Sequence, residues 1–310
     1  MASYLMFGNL TVDDTVFPDG TTAMRSLGGN ALYAAIGAWL WRADVAIVTR
    51  VGRDYPQDLL VQLREAGLCV DGLVRRDSHY IRQWQLYDVE GGRVYVPLRS
   101  APSYADMTPR PSEVPAAVAE GVVGGHVAPD PVELQGPLVE WLKSKGARVT
   151  LDPHGDWIAG HMSEWRALLP MVDVFLPSRE EAEIFLGHWP GAMRAARALA
   201  DLGAGTVCLK LGAAGCIVYE TITGLTREYR SVAKRVIDTT GCGDAFCGAF
   251  LAGWGGTGCS ARGVSQGLVA AAIVAADYGA TGALRADREE VTRRFARAAQ
   301  RSEVRSGSVA

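Results

Sequence analysis

The stretch Val236–Phe250, Val-Ile-Asp-Thr-Thr-Gly-Cys-Gly-Asp-Ala-Phe-Cys-Gly-Ala-Phe, decides the fold. An apolar pair enters a turn made of Thr239, Thr240, Gly241 and Gly243. Beyond it Ala245, Phe246, Ala249, Phe250 and Leu251 recur at helical spacing, so a glycine loop opens a helix. Such an opening is an anion site: first-turn N–H groups lack intrahelical partners and sit at the positive end of the helix dipole, and glycines let a phosphate approach the backbone. Asp244 is the odd residue there. A carboxylate repels phosphate, so it suits a hydroxyl that must lose its proton beside the anion hole, the general-base geometry of phosphoryl transfer. The plainer reading is an acid at a helix N-terminus.

Asp238-Thr-Thr-Gly-Cys-Gly-Asp-Ala-Phe-Cys-Gly248 resembles the C-terminal signature of the ribokinase-like (PfkB) family of carbohydrate and nucleoside kinases. The resemblance implies an α/β fold, a three-layer α/β/α sandwich with a central, mostly parallel sheet and a small β-lid. It implies ATP and Mg2+ as cofactors and a carbohydrate or nucleoside as acceptor. Asp244 becomes the catalytic base, with the Gly241, Cys242 and Gly243 amides as the anion cradle. Cys242 stands where the family has Ala, Ser or Gly; it reads either as a reactive thiol at a helix N-terminus or as a small buried filler.

Composition agrees with a soluble α/β protein. The 310 residues, 48% of them hydrophobic, suffice for one large core or two ordinary ones. A net charge of -3 with dispersed Lys and Arg gives no basic footprint, so nucleic acid is not an expected partner. No apolar run reaches membrane-spanning length and the start lacks a signal-peptide pattern, so a cytoplasmic location is expected. The six cysteines and five histidines show neither C-x-x-C nor H-E-x-x-H, and no zinc site is expected.

From the N-terminus, Tyr4–Phe7 reads as a first parallel strand ending in Gly8-Asn9. Asp13 follows at the family's Gly-x-x-x-x-Asp spacing, where the resemblance gives it substrate hydroxyls to bind. Gly28-Gly29-Asn30 precedes a helix over Ala31–Trp41 and resembles the family's N-terminal substrate motif, with Gly29 packing on the sugar and Asn30 reaching a hydroxyl; Asn30 also reads as a helix cap. Tyr33 stands where many members have Asn. Val51-Gly-Arg-Asp54 and Leu63–Gly67 look like a structural block of the family, with Pro56 near a customary Gly.

Arg82–Val89 and Arg93–Leu98 flank Glu90-Gly91-Gly92, a hairpin signal. With 12–27 they suggest a small antiparallel sheet, a lid over about 12–27 and 78–100 on a kinase domain of 1–301, which in relatives covers the sugar and often forms a homodimer interface. Arg99-Ser-Ala-Pro-Ser103 resembles a segment of the 2-keto-3-deoxygluconate kinases, in which Arg99 would meet an acid substrate; a solvated edge arginine is the other reading.

Downstream, strands and helices alternate, including Gly121–Val127, Pro131–Lys145 and Arg148–Asp152, the last ending in the polar cluster Asp152-Pro-His-Gly-Asp-Trp157. After Val172–Leu176, Pro177-Ser-Arg-Glu-Glu181 resembles the family's Asn-x-x-Glu motif, giving Glu181 a magnesium-bound water and Ser178 a cofactor contact in place of Asn. A capping box explains the same letters. Thr206–Leu211 and the Gly212–Gly215 turn look like the nucleotide side, where Lys210 reads as a phosphate contact or as a solvated strand end. Relatives hold a monovalent cation, K+, between the Asp238 loop and the region of Tyr278–Gly282. Val264–Asp277 reads as a buried helix, Arg285–Arg301 as a charged final one, and 302–310 as a disordered tail.

Two rivals remain at this point. A non-catalytic sugar- or nucleotide-binding sensor of the same fold is one. A Rossmann dehydrogenase is the other, on Gly253-Trp-Gly-Gly-Thr-Gly258. A Walker A pattern is absent from the sequence.

Overall fold

Apolar runs of four to eight residues form strands whose alternate side chains feed two separate cores. At Tyr4–Phe7 and Val45–Gly52, the residues Tyr4, Met6, Val45 and Ile47 enter one cluster, while Leu5, Phe7, Ala46 and Val48 enter the other. A strand buried on both faces needs a helical layer on each side, and that requirement alone gives three layers.

The structure, a computed structural model, describes residues 3–42, 44–90, 92–100 and 103–301. Its elements are β1 (Tyr4–Phe7), β2 (Thr11–Val16), β3 (Thr22–Gly28), α1 (Asn30–Trp39), β4 (Val45–Gly52), α2 (Gln57–Glu65), β5 (Cys69–Arg76), β6 (Ile81–Tyr87) and β7 (Arg93–Arg99). There follow α3 (Ala116–Ala119), β8 (Gly124–Val127), α4 (Val132–Ser144), β9 (Arg148–Leu151), α5 (Met162–Leu168), β10 (Val174–Phe175), α6 (Arg179–Leu186), α7 (Ala192–Ala200) and β11 (Thr206–Lys210). The chain ends with β12 (Cys216–Glu220), β13 (Leu225–Tyr229), α8 (Cys242–Trp254), α9 (Ser260–Val274), α10 (Thr281–Leu284) and α11 (Arg288–Arg301). The expected tail, 302–310, lies outside the described residues, as do Gly91 and residues 101 and 102.

Among the described residues the main sheet has nine strands in the order β13-β12-β11-β10-β9-β8-β1-β4-β5. From β11 to β5 every pairing is parallel; β12 and β13 join antiparallel at one edge. Helices α1, α2, α8 and α9 cover one face, and α4, α5, α6 and α7 the other. This is the expected three-layer α/β/α sandwich.

A second sheet, β3-β2-β6-β7, lies outside it. It corrects one expectation: β2 and β6 pair in parallel, with Thr11 opposite Ile81 and Val16 opposite Leu86, so the lid is mixed rather than antiparallel. The cause is topological. β2 and β6 each follow a strand of the parallel main sheet, β1 and β5, and leave the same edge in the same direction. Strands β5 and β13 were not anticipated, and β10 is shorter than Val172–Leu176. Gly253, Gly255 and Gly258 fall at the end of α8 and in the turn after it, with no strand ahead of them, which removes the dinucleotide-binding reading.

Candidate active site

Two glycines bring the decisive loops together. A Cβ added to Gly248 of α8 would lie 1.8 Å from Ala34 O of α1, and one added to Gly37 of α1 would lie 2.0 Å from Ala245 O of α8. The helices therefore pack backbone against backbone, and their N-terminal loops, Gly28–Asn30 and Gly241–Asp244, open onto one cavity of about 840 Å3. Asn9, Pro129 and the His154–Asp156 turn also line it, residues that follow the carboxyl ends of β1, β8 and β9, where α/β sheets place ligands.

Asp244 lies in the first turn of α8 and lines the cavity. Burial pushes its carboxyl up to about 6; Lys210 and Arg93 oppose that shift and Glu181 adds to it. Gly241, the residue before the helix, has φ 71°, a left-handed conformation suited to glycine. Among the described residues the Gly241 and Gly243 amides find no backbone partner, while Cys242 N donates to Thr239 O at 3.2 Å. That corrects one expectation, because the Cys242 amide is not free to join the cradle. The Cys242 thiol lies 3.5 Å from Ala271 O and burial pushes it up to about 12, so it is a filler and not a nucleophile.

On the acceptor side, Asp13 sits on β2, 4% exposed, and lines the cavity. Its oxygens accept from Gln83 Nε2 at 3.2 Å and Gln85 Nε2 at 2.7 Å, both from β6, and burial raises it to about 6. Asn30 also lines the cavity, but its side chain is tied up: Oδ1 accepts from Asn9 N at 2.7 Å and Nδ2 donates to Pro129 O at 2.9 Å. It clamps the β1 and β8 turns and does not cap α1, whose N-cap is Gly29. Gly29 itself lines the cavity.

Ser178 and Glu181 form a capping box on α6, Glu181 N donating to Ser178 Oγ at 3.2 Å and Ser178 N donating to Glu181 Oε2 at 2.6 Å. The cap orients Glu181 so that it still reaches the cavity, and burial together with Asp152 raises its carboxyl to about 7. Ser178 does not line the cavity. Below them Lys210 Nζ stands 2.5 Å from Asp152 Oδ2 and 3.5 Å from Cys247 Sγ. A Cβ on Gly243 would lie 3.7 Å from that ammonium, so Lys210 is neither solvated nor extended; it sits under the glycine loop.

Several expected contacts lie elsewhere. Arg99 is outside the cavity lining, ion-paired to Asp54 at 2.9 Å and placed over the Tyr80 ring, so it is not positioned to meet an acid substrate. Gly212 and Gly215 shape a tight turn, with φ 56° and 105°, beyond the cavity lining. Asp238 is buried and bonded to Tyr87 OH, Thr240 N and Gly279 N. The sequence reading missed Gln83, Gln85, Arg93, Tyr95 and Tyr104, all lining residues. Lid alternation was the available signal: Arg93, Tyr95 and Pro97 line the cavity, whereas Val94, Val96 and Leu98 at the alternate positions do not.

Among the described residues no cluster of three or more His, Cys, Asp or Glu forms a metal cage, and no helix is long and apolar enough to cross a membrane.

Comparison with known proteins matches this architecture. A cytidine kinase from Thermococcus kodakarensis is 29% identical over 263 residues, covering 82% of this chain and 89% of the relative. The Burkholderia thailandensis nucleoside kinase solved with inosine superposes at TM-score 0.78, with 20% identity over 95% of this chain and 97% of that one. An E. coli chain of the same fold, solved with ATP and Mg2+, gives a TM-score of 0.77 at 16% identity, covering 96% of this chain and 100% of that one. The family model described as pfkB family carbohydrate kinase matches residues 9–287, a span that takes in both glycine loops, the lid and the Asp244 turn, and the chain belongs to that family of ATP-dependent kinases.

Proposed function

We propose that the chain transfers the γ-phosphoryl group of ATP to a primary hydroxyl of a small carbohydrate or nucleoside, with Asp244 as general base. The observation that carries this reading is one pairing: a carboxyl raised to about 6 beside the Gly241 and Gly243 amides, which have no backbone partner. The acceptor hydroxyl donates to Asp244, which takes the proton as the new O–P bond forms and the bond from the γ-phosphorus to the β–γ bridging oxygen breaks, releasing ADP; the two amides receive negative charge on the moving phosphoryl group. Asp13 accepts from acceptor hydroxyls, held in place by Gln83 and Gln85. Lys210 adds positive potential from beneath the loop. When bound, Mg2+ would neutralise phosphate charge, and Glu181, which lines the cavity from the capped end of α6, is the carboxylate that would help hold it.

Among acceptors, a nucleoside fits best. Besides polar groups the cavity lining includes Ile81, Pro97, Tyr104, Met107 and Pro129, apolar surface suited to a planar base. The named cytidine and nucleoside kinases favour the same class. The exposed Val94, Val96 and Leu98 on the outer lid face support a second copy of the chain there as homodimer partner.

Replacing the base tests the mechanism. Asp244→Asn retains ATP binding and lowers kcat by about 10²–10⁴-fold, and a loss under about tenfold refutes the assignment. An ATP-consumption screen with cytidine, inosine, ribose, fructose and myo-inositol decides the acceptor; turnover confined to free sugars sinks the nucleoside reading.

A further inference from the structure

The resemblance implies a monovalent cation between the Asp238 loop and the turn after α9, and the side chains there do not suit one. A hard cation needs several oxygens whose lone pairs converge on one point. Here the Asp238 carboxylate meets donors instead. Oδ1 accepts from Tyr87 OH at 3.1 Å and Thr240 N at 2.8 Å, and Oδ2 accepts from Gly279 N at 3.0 Å. The carbonyl of Ala275 accepts from Ile237 N at 2.7 Å and Asp238 N at 3.4 Å. The two segments are thus joined directly by hydrogen bonds.

Positive charge reaches the same spot from the lid. Arg93 on β7 donates through Nη1 to Tyr87 OH and to Thr240 Oγ1, each at 3.2 Å, and the Asp238 carboxylate acts on it through space. Its guanidinium lies 4.7 Å from the Tyr95 ring centroid, and Arg93 bonds hydroxyls in this network. Thr240 Oγ1 is in turn 2.5 Å from Tyr87 OH and 3.3 Å from Gln85 Oε1. Phe17, also from the lid region, stacks on Tyr87 at 5.3 Å and packs against Tyr278 at 4.5 Å. One lid edge is therefore fastened to both segments that a cation would otherwise join.

We propose that Arg93 and Tyr87 replace a monovalent cation in this chain: they hold the Asp238–Thr240 segment and with it the turn that carries the Gly241 and Gly243 amides, and the protein needs no such ion. The inference rests on reading those amides as the anion cradle. Both residues are positioning residues. Because the charge arrives on a lid strand, the lid and the segment that leads into the cradle are held together, which ties acceptor capture to phosphoryl transfer.

The test compares KCl with tetramethylammonium chloride at matched ionic strength on the full chain, with two readouts. The thermal midpoint is the same in both salts, since an ion that bound the native state would raise it. ATP turnover with an accepted acceptor agrees within about twofold between the salts, while Arg93→Met lowers kcat by about tenfold or more with the ATP KM little changed, and Arg93→Lys restores part of the loss. A midpoint several degrees higher in K+, activation of the wild-type chain by K+ above about fivefold, or an Arg93→Met variant of normal kcat overturns the proposal. If no acceptor is turned over, the kinase mechanism has failed separately, and the thermal comparison still decides the question of the ion.

Discussion

Tyr33 and Gly241 are in ring-to-backbone contact: a Cβ added to Gly241 would lie 2.1 Å from Cγ of the Tyr33 ring and 2.3 Å from both Cδ atoms. Tyr33 is buried on α1, so the first helix provides the seat on which the catalytic loop turns. An aromatic at this position therefore reads as part of the loop's support.

Gly241→Ala meets two obstacles at once, the ring and a φ of 71°. It is expected to destabilise the protein by about 1–3 kcal/mol and to misplace the cradle amides. Chemical denaturation measures the first effect and kcat the second. In the double variant with Tyr33→Ala the steric part is relieved while the backbone strain remains, so its loss of stability is smaller than the sum of the two single losses. Strict additivity would show that the contact carries no strain.

The base sets a pH dependence with a definite sign. In the proposed mechanism Asp244 acts only when ionised, and burial raises its carboxyl to about 6, so kcat/KM is expected to fall as pH drops through about 6. Glu181, raised to about 7, steepens the same limb if it too must be ionised. Lys210→Met removes the ammonium that opposes the rise at Asp244, and the limb moves to higher pH. It also leaves Asp152 buried without its counter-ion, at a cost of about 3–5 kcal/mol near neutral pH. A profile that stays in place in Lys210→Met would separate Lys210 from the base.

Asp13 is held by two glutamine amides that both donate to it. Asp13→Asn turns an acceptor into a group with its own N–H facing those donors, and removes the charge that receives acceptor hydroxyls. The acceptor kcat/KM is expected to fall about 10²-fold, while the ATP KM moves little. An equal rise in both KM values would show that the lid, not Asp13, had been disturbed.

What was legible in the sequence was local. The Asp238–Gly248 stretch concentrates turn, helix start and carboxylate in eleven neighbouring positions, and Ser178-Arg-Glu-Glu181 carries its own cap, so both were placed from their letters. The clamp made by Asn30 was not legible, because its amide bonds Pro129, 99 residues away. Arg99 was misjudged because of a bulge: Gln83 pairs with Pro97 but Arg82 with Arg99, so one extra residue turns the strand end from the cavity towards Asp54. Arg93, six positions earlier in regular pairing, is the arginine that enters. A one-residue slip of that kind leaves no trace in composition or periodicity.

Asp130 offers a test independent of activity. It lies between β8 and α4, 6% exposed, with Thr108 Oγ1 donating to Oδ2 and Oδ1 buried without a hydrogen-bond partner. Burial raises its carboxyl to about 7. An acid raised on folding favours the native state only while protonated: the native chain binds more protons than the unfolded one between the ordinary carboxylate value and about 7, so stability is lost as pH rises through that window. Asp130→Asn keeps an acceptor for Thr108 and removes the ionisation. Its gain over the wild type should be absent near pH 4, grow through the window and level off above about pH 7, at on the order of 4 kcal/mol. Urea denaturation at four pH values measures it. A gain that is flat with pH would show that the carboxyl ionises freely in the folded chain, and that the cavity behind Pro129 is wetter than the packing of Thr108 and Asp130 implies.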